Sequence, residues 1–249
     1  MNIKDEIHRA AEIIASAKHV TAFTGAGISV ESGIPPFRGK QGIWNTVDPQ
    51  ILDITFFQQH PEVSWPLIKE IFFNRFRDAE PNTAHIALAA LEQQGIIKAI
   101  ITQNIDGLHQ RAGSKHVLEF HGNSHQLVCL QCRETVCVTD KILSNVPPRC
   151  PRCNAVLKPD FVFFGESIPE LAASRSYKEA KDANVFLLVG TTGLIQPASL
   201  VPMDAKSYGA TIIEINTEHS SYTRSITDIF LQGRSTEIMK ELHHELSMK

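Results

Sequence analysis

Apolar positions along the chain follow two different periods, and their alternation predicts an α/β fold. Over residues 3–17, Ile7, Ala10, Ala11, Ile14 and Ala15 share one face of a helix with a 3.6-residue repeat. The run His19-Val20-Thr21-Ala22-Phe23-Thr24 then reads as a buried strand that ends in Gly25-Ala26-Gly27. Further short apolar runs at 99–102, 185–189 and 211–215 read as strands. Helical patterns separate several of them, notably 83–94, closed by Gly95, and 170–183. A last helix over 236–246 is expected to pack back on the sheet. Strands alternating with helices predict a doubly wound, mostly parallel Rossmann-like sheet.

Two stretches break the alternation. Residues 34–80 are rich in Phe, Pro and Trp, and residues 123–158 contain all five cysteines, four of them in two close pairs. They read as insertions that build a smaller domain over the sheet's edge. The expected division is a Rossmann-like sheet domain of 1–33, 81–122 and 159–249, a helical insertion of 34–80 and a cysteine-bearing module of 123–158. At 249 residues, 43% hydrophobic and 20% charged, the chain has the composition of a soluble globular enzyme. A net charge of −3 without long Lys/Arg runs gives no support for a nucleic-acid or anionic-membrane partner. The first 16 residues carry charges throughout, with no signal-peptide core, and no apolar stretch is long enough to span a bilayer. The expectation is a cytoplasmic monomer.

Cys129, Cys132, Cys150 and Cys153 form two CxxC pairs separated by 17 residues. Each pair places two thiolates on one tight turn, and two facing turns complete a tetrahedral zinc site. With all four ligands supplied by protein, no position is left for water, so the zinc is expected to be structural. Paired disulfides or unrelated core thiols are the alternatives, and a cytosolic chain disfavours the first. Cys137, between Val136 and Val138, is expected to pack inside the module.

Gly25-Ala26-Gly27-Ile28-Ser29 follows a strand, where small residues let backbone amides approach a phosphate. The third glycine of a dinucleotide fingerprint is replaced by Val30, and no acidic residue closes a following strand. A ligand-free tight turn explains the loop equally well. Gly33-Ile34-Pro35-Pro36-Phe37-Arg38-Gly39 is either a surface loop or a flap, its Arg meeting a phosphate and its Phe covering a ring. Thr102-Gln103-Asn104-Ile105-Asp106 begins at a strand's carboxyl end. There an amide and a carboxylate two residues apart can grip a carboxamide, or simply cap a turn. His121, beside Gly122, has a side chain suited to proton abstraction near neutrality, but with 11 histidines composition alone does not select it.

Taken together, these segments resemble the sirtuin family of NAD-dependent protein lysine deacylases. The resemblance runs from Gly25 to about Asn216 through GAGIS, GIPPFRG, TQNIDGLHQRAG, HG, the four cysteines, PDFVFFGE, GTT and IN, in the family's order. It implies that Gly25, Ala26 and Gly27, with Arg38, hold the pyrophosphate of NAD, and that Phe37 shields the reacting ribose. Ser29, Asn104, Ile105 and Asp106 would line the nicotinamide pocket, Asn104 also serving the chemistry, and Gln103 would meet the nicotinamide ribose. Gly190, Thr191 and Asn216 would bind the adenosine end. Phe163, Gly165 and Glu166, with Leu194 across the cleft, would pair with an acyl-lysine protein substrate strand. His121 would act as general base on the ribose hydroxyls while nicotinamide leaves, giving free lysine and O-acyl-ADP-ribose. One structural zinc would hold the small domain.

Departures from the family's pattern bear on cofactor and acyl choice. Pro36 replaces a common Asp or Thr and stiffens its loop. Gly193 stands where relatives carry a larger residue. The Tyr-x-x-Arg pair of desuccinylating relatives is absent from 65–77, where Lys69 and Phe72 occupy the matching places. Acetyl or longer neutral acyl groups are therefore expected, with Arg75 and Arg77 the possible substitutes for the missing cation. Two rival readings remain: a mono-ADP-ribosyltransferase, which shares nicotinamide release, and a non-catalytic zinc-bearing binding module.

Overall fold

The computed structural model describes residues 2–39, 42–74 and 76–248. In chain order the elements are α1 (Ile3–Ser16), β1 (Val20–Thr24), a 3₁₀ segment (Ala26–Ser32), α2 (Ile54–Gln59), α3 (Pro61–Ile68), a π-helical segment (Lys69–Asn74), α4 (Thr83–Gln93) and β2 (Ile97–Thr102). There follow α5 (Leu108–Arg111), β3 (Val117–Glu119), β4 (Gly122–Cys129), β5 (Thr135–Cys137), α6 (Asp140–Leu143) and β6 (Leu157–Phe161). The chain closes through α7 (Glu170–Asp182), β7 (Val185–Val189), α8 (Leu200–Ser207), β8 (Thr211–Asn216), β9 (Ile229–Gln232) and α9 (Ser235–Ser247).

The large sheet has the order β3-β2-β1-β7-β8-β9, and every pairing in it is parallel. Strand periodicity divides its side chains between two cores. Val20, Ala22, Val185, Leu187 and Val189 pack with α1, α4 and α9, while Phe23, Phe186 and Leu188 pack with α7 and α8. The helical faces read from the sequence are the buried ones: Ile7, Ala10, Ala11 and Ile14 in α1, and Ile238, Met239, Leu242 and Leu246 in α9. Each such aliphatic side chain stabilises the fold by roughly 1.5–3 kcal/mol when fully buried. The strands expected at 99–102, 185–189 and 211–215 are present, the first beginning two residues earlier.

Two strands of the large sheet lay outside the sequence reading. β3 is three half-buried residues and β9 only four, too short for a periodic signal. Both lie at the sheet's edges.

Between β1 and β7 the strand order reverses, so the loops at their carboxyl ends diverge and leave a crevice. Backbone contact holds it. Gly25 N–H donates to Val189 O at 3.0 Å and Gly27 N–H to Gly190 O at 2.8 Å. A Cβ on Gly27 would sit 2.6 Å from Gly190 Cα, and Gly190 itself has φ +63° with a Cβ position 2.4 Å from Ile28 N.

The small domain uses a three-stranded antiparallel sheet, β5-β4-β6. Its core is continuous with the 34–80 segment: Ile43, Phe57, Trp65, Ile68 and Phe72 pack with Leu127, Leu143, Leu157 and Phe161. The fully buried Trp65 indole donates to Leu157 O at 2.8 Å, tying α3 to β6. Cys137 corrects the sequence reading, because it is exposed rather than packed. β5 is an edge strand, and period-two alternation turns half-buried Val136 inward while Thr135 and Cys137 face solvent. Among the described residues no helix is long and apolar enough to cross a membrane.

The Gly27→Ala variant should lose roughly 1–3 kcal/mol or more of stability in urea denaturation, since its methyl meets backbone rather than a yielding side chain. Wild-type stability in that variant would show that the crossing is not constrained as described.

Candidate active site

The crevice collects the carboxyl ends of four strands. From β1 come Gly25 and Ala26; from β2, Gln103 and Asn104; from β7, Gly190 and Thr191; from β8, Asn216. Gln103 N–H donates to Thr24 O at 3.0 Å, and its side-chain Nε2 reaches across β1 to Thr191 Oγ1 at 2.9 Å. Asn216 Nδ2 donates to Thr191 O at 2.9 Å. These bonds fix two sides of the crevice relative to each other. In the glycine loop, Gly27 N–H is used by Gly190 and Ile28 N–H by Gly25, whereas Ala26 N–H has no acceptor among the described residues. The two glycines thus serve close backbone approach, and Ala26 is the loop's free donor.

A second cluster lies at the base of this loop. Buried Asn104 is held by its N–H on Thr102 Oγ1 at 3.0 Å, and its Nδ2 donates to Gly25 O at 3.1 Å and Ser29 Oγ at 3.2 Å. Ser29 Oγ donates to Asp106 Oδ2 at 2.7 Å. Burial pushes the Asp106 carboxyl above its ordinary range, against the stabilising bonds from Leu108 N–H and Ser29. Two histidines missed in the sequence stand behind this cluster. His85 accepts Asn82 N–H at Nδ1, which completes the α4 capping box, so the neutral ring carries its proton on Nε2, 3.5 Å from Ser29 Oγ. Burial drives its pKa down to about 4. His109 Nε2 lies 2.9 Å from Thr24 Oγ1; burial and neighbouring His85 lower its pKa well below the usual value. The α4 capping position was the available signal for His85. His109 lies inside the TQNIDGLHQRAG segment, where the sequence reading gave it no role.

His121 is delivered by β3, whose register places Phe120 N–H on Thr102 O at 2.9 Å. Its Nδ1 lies 3.1 Å from Gln103 O, a group that can only accept. The neutral ring is therefore protonated on Nδ1 and keeps its lone pair on Nε2. Burial lowers its pKa below 6.5, with the Gln103 bond opposing.

His121 lines a cavity of ≈220 Å³ between the two domains, together with Phe37, Arg38, Trp44, Phe72 and Phe161–Glu166. Phe37 packs on Trp44 and Phe72 at 5.5 and 6.2 Å between ring centroids. Its loop is closed by Ile43 N–H on Pro36 O and Trp44 N–H on Phe37 O. Arg38 is exposed, and no carboxylate among the described residues pairs with it. In the 163–166 turn, Phe163 N–H donates to Glu166 Oε2 and Glu166 N–H to Phe163 O, leaving Gly165 N–H as a free donor among the described residues. Across the cleft the lining is Ile195, Gln196 and Pro197, while Leu194 stands 63% exposed beside it. Gly193 has φ +71°, and Ser221 Oγ lies 2.1 Å from where its Cβ would be, so a larger residue is excluded here.

The four cysteine sulfurs lie within 4.8 Å of one another, with Cys129–Cys153 at 3.4 Å and Cys132–Cys150 at 3.6 Å. Disulfide bonds need about 2.05 Å, whereas a tetrahedron of Zn–S bonds near 2.3 Å has edges of about 3.8 Å. The donor set fits zinc. Both turns share one design. Cys129 N–H donates to Glu134 O and Arg133 N–H to Cys129 O; Cys150 N–H donates to Ala155 O and Asn154 N–H to Cys150 O. Arg133 and Asn154 both adopt positive φ, at 62° and 63°.

The Sir2 family model matches residues 25–197. The chain is 42% identical to an NAD-dependent protein deacylase of Pyrococcus abyssi, over 95% of this chain and 96% of the relative. It is 45% identical to the NAD-dependent protein deacylase of Pyrococcus furiosus, over 94% and 96%. Among solved structures, a Sir2 enzyme holding a deacetylated p53 peptide and 3′-O-acetyl ADP-ribose superposes with a TM-score of 0.90 at 34% identity, covering 96% of this chain and 98% of that one. Sir2Tm bound to a propionylated peptide superposes at 0.88 with 32% identity, covering 98% and 99%.

Both tryptophans, Trp44 and Trp65, lie in the segment that shares its core with the cysteine module. A strong chelator should therefore release one zinc per chain and shift tryptophan emission to the red, while far-UV circular dichroism keeps the signal of the large sheet's domain. Unchanged emission after metal release would show that the small domain stands without its metal.

Proposed function

The chain belongs to the Sir2 family, and from that premise we propose how its own residues carry out NAD-dependent deacylation of protein lysines. The observation that carries the reading is the fixed tautomer of His121 at the cavity wall, with Nδ1–H on Gln103 O and a basic Nε2. The chain is an NAD-dependent protein deacylase, like the relatives it matches along nearly its whole length. NAD, when bound, supplies the ribose that accepts the acyl group and a nicotinamide that departs.

Ala26 N–H and Arg38 hold the pyrophosphate, a role supported by their free donors at the crevice and at the flap. Asn104, Ser29 and Asp106 grip the nicotinamide carboxamide, Asn104 and Asp106 offering the complementary donor and acceptor, with Ile105 beside them. Gln103 and Thr191, joined across the switch point, orient the ribose and adenosine portions with Gly190 and Asn216. Phe37, braced by Trp44 and Phe72, excludes water from the reacting carbon. His121 takes a proton from a ribose hydroxyl through Nε2, and its burial keeps it unprotonated at neutral pH. The substrate chain lies between Gly165 and the Leu194 loop and pairs through backbone, as an added strand would. The zinc, held by Cys129, Cys132, Cys150 and Cys153, keeps the cavity's second wall folded. A cytoplasmic setting suits four unoxidised thiols, and all of these groups come from a single chain.

For acyl choice, Lys69 Nζ is engaged by Leu143 O at 2.8 Å, away from the cavity, and buried Phe72 lines the cavity instead. Arg77 pairs with Asp140 at the surface, and Arg75 lies outside the described residues. Among the described residues Arg38 is the only lysine or arginine lining the cavity. A carboxylate-bearing acyl group would enter apolar walls without a buried partner. Acetyl and butyryl peptides should exceed a succinyl peptide by at least about tenfold in kcat/KM, tenfold corresponding to about 1.4 kcal/mol. Better turnover of the succinyl peptide would overturn this reading.

The reaction itself is tested with an acetyl-lysine peptide and NAD, products being resolved by mass spectrometry. Free lysine peptide, nicotinamide and O-acetyl-ADP-ribose should form in equal amounts. His121→Ala should lower the rate by roughly 10²–10⁴-fold. The neutral imidazole is the working form, so activity is lost as pH falls through its pKa. Since that pKa is lowered, the acid limb of kcat/KM should lie below pH 6.5. Labelled ADP-ribose left on protein, with no deacylated peptide, would establish transferase chemistry instead.

A further inference from the structure

A buried lysine sits directly behind the wall that the substrate meets. Lys158 of β6 has a side chain only 3% exposed, and its ammonium meets three acceptors: Pro159 O at 2.7 Å, Phe161 O at 2.6 Å and Glu166 Oε2 at 2.9 Å. That satisfies all three of its donors. The same ammonium lies 4.1 Å from the Phe163 ring centroid, within cation–π distance. Glu166 Oε2 in turn accepts Phe163 N–H at 2.8 Å. A closed circuit therefore runs from Phe161 carbonyl through ammonium and carboxylate to Phe163 amide, and it fixes the backbone from 161 to 166.

Two of the three acceptors on this ammonium, Phe161 O and Glu166 Oε2, belong to residues that line the cavity, and the third, Pro159 O, belongs to β6 just before them. None belongs to the cysteine turns or to the large sheet. The circuit also reaches the proposed base. Val162 N–H donates to His121 O at 2.9 Å, and Phe161 pairs with Gly122, which has room for no Cβ because Asp160 O would lie 2.3 Å from it. The wall and His121 thus share one piece of backbone.

We propose that Lys158 is a positioning residue for the acyl-lysine substrate, acting through Glu166 and the Phe161 and Phe163 backbone to hold the substrate-pairing turn in its binding shape. This rests on the deacylase reading above. An apolar side chain of similar length would fill the volume but leave Glu166 without its cation and two carbonyls without the ammonium donor, and the turn would open. Burial lowers the lysine's pKa while Glu166 opposes, in keeping with a cation retained for its partners.

The test compares wild type, Lys158→Met and Lys158→Arg with an acetyl-lysine peptide and NAD, alongside zinc content and thermal unfolding. Lys158→Met should raise peptide KM at least about tenfold while NAD KM stays within about threefold, and Lys158→Arg should recover most of the loss. A purely structural role would instead lower the unfolding temperature or zinc content and move both KM values together. Should Lys158→Met fail to fold, the Lys158→Met/Glu166→Gln double variant removes the orphaned charge, and Glu166→Gln alone is its control. Peptide KM within twofold of wild type in the folded Lys158→Met variant, or within twofold of the Glu166→Gln control in the double variant, would overturn the proposal, as would a joint rise of both KM values. A wild-type protein inactive on every acyl peptide would instead remove the deacylase reading, independently of Lys158.

Discussion

At the carboxyl ends of β1 and β7, two diverging loops are held by backbone alone. Gly27 N–H donates to Gly190 O at 2.8 Å, and a side chain at either residue would collide with the other's main chain. This contact sets the depth of the crevice. It also decides which amides face outward, since the bonds of Gly25, Gly27 and Ile28 are satisfied within the crossing and Ala26 N–H is not. Asn104 is oriented by the same geometry, its amide resting on Gly25 O. Gln103 spans the crossing to Thr191. A shift of about 1 Å at the glycines would move donors on three strands together, which is large against the tolerance of a catalytic arrangement.

The polar groups beneath this crossing are placed by a chain of single hydrogen bonds in a dry setting. Asn82 N–H fixes the His85 tautomer, His85 and Asn104 face Ser29 Oγ, and Ser29 donates to Asp106. Each step leaves the next with one available role. An unpaired buried polar group costs about 1–3 kcal/mol, so the chain of bonds selects one arrangement over its alternatives. The same burial that raises Asp106 lowers His85, His109 and His121. Neutral imidazoles are thus a property of the site's dryness, and His121, the proposed base, is only the most exposed case of it.

Much of this was legible in the sequence, for physical reasons that can be named. The α1 stripe and the β7 run are strongly periodic or continuous, so their burial followed directly. The cysteine turns were legible because metal geometry dictates their spacing. β3 and β9 were not, since three or four residues are too few to show a period, yet β3 is the strand that delivers His121. His85 and His109 were hidden because their importance comes from being enclosed by α4, α5 and β1, a property of the assembled fold. The glycine loop reads from its residues equally as a phosphate cradle or as a ligand-free tight turn. Its glycines answer first to Gly190, a residue more than 160 positions away in the chain. Cys137 was misplaced because β5 is an edge strand, and nothing in its flanking valines announces an edge.

The small domain explains how one cavity wall is held in a single shape. Its core contains Trp65, whose indole bonds Leu157 O, and Phe72, Phe161 and Phe163, whose rings lie 5.0–5.3 Å apart along the wall. β6 leaves this core at Phe161 and enters the substrate turn within two residues. The carbonyls at such a strand end need donors, and water would supply them only by wetting the wall. Lys158 satisfies two of them from inside, while Glu166 offsets its charge and returns the chain's direction at Gly165, which has φ +88°. The ion pair is thus better understood as a way of ending a strand dry than as a source of stability, because a buried pair of this kind gains little over apolar packing. Cysteine turns, indole and ammonium follow one another along one strand: the first gather four sulfurs within 4.8 Å, the second ties the module to α3, and the third bonds the carbonyls at its free end.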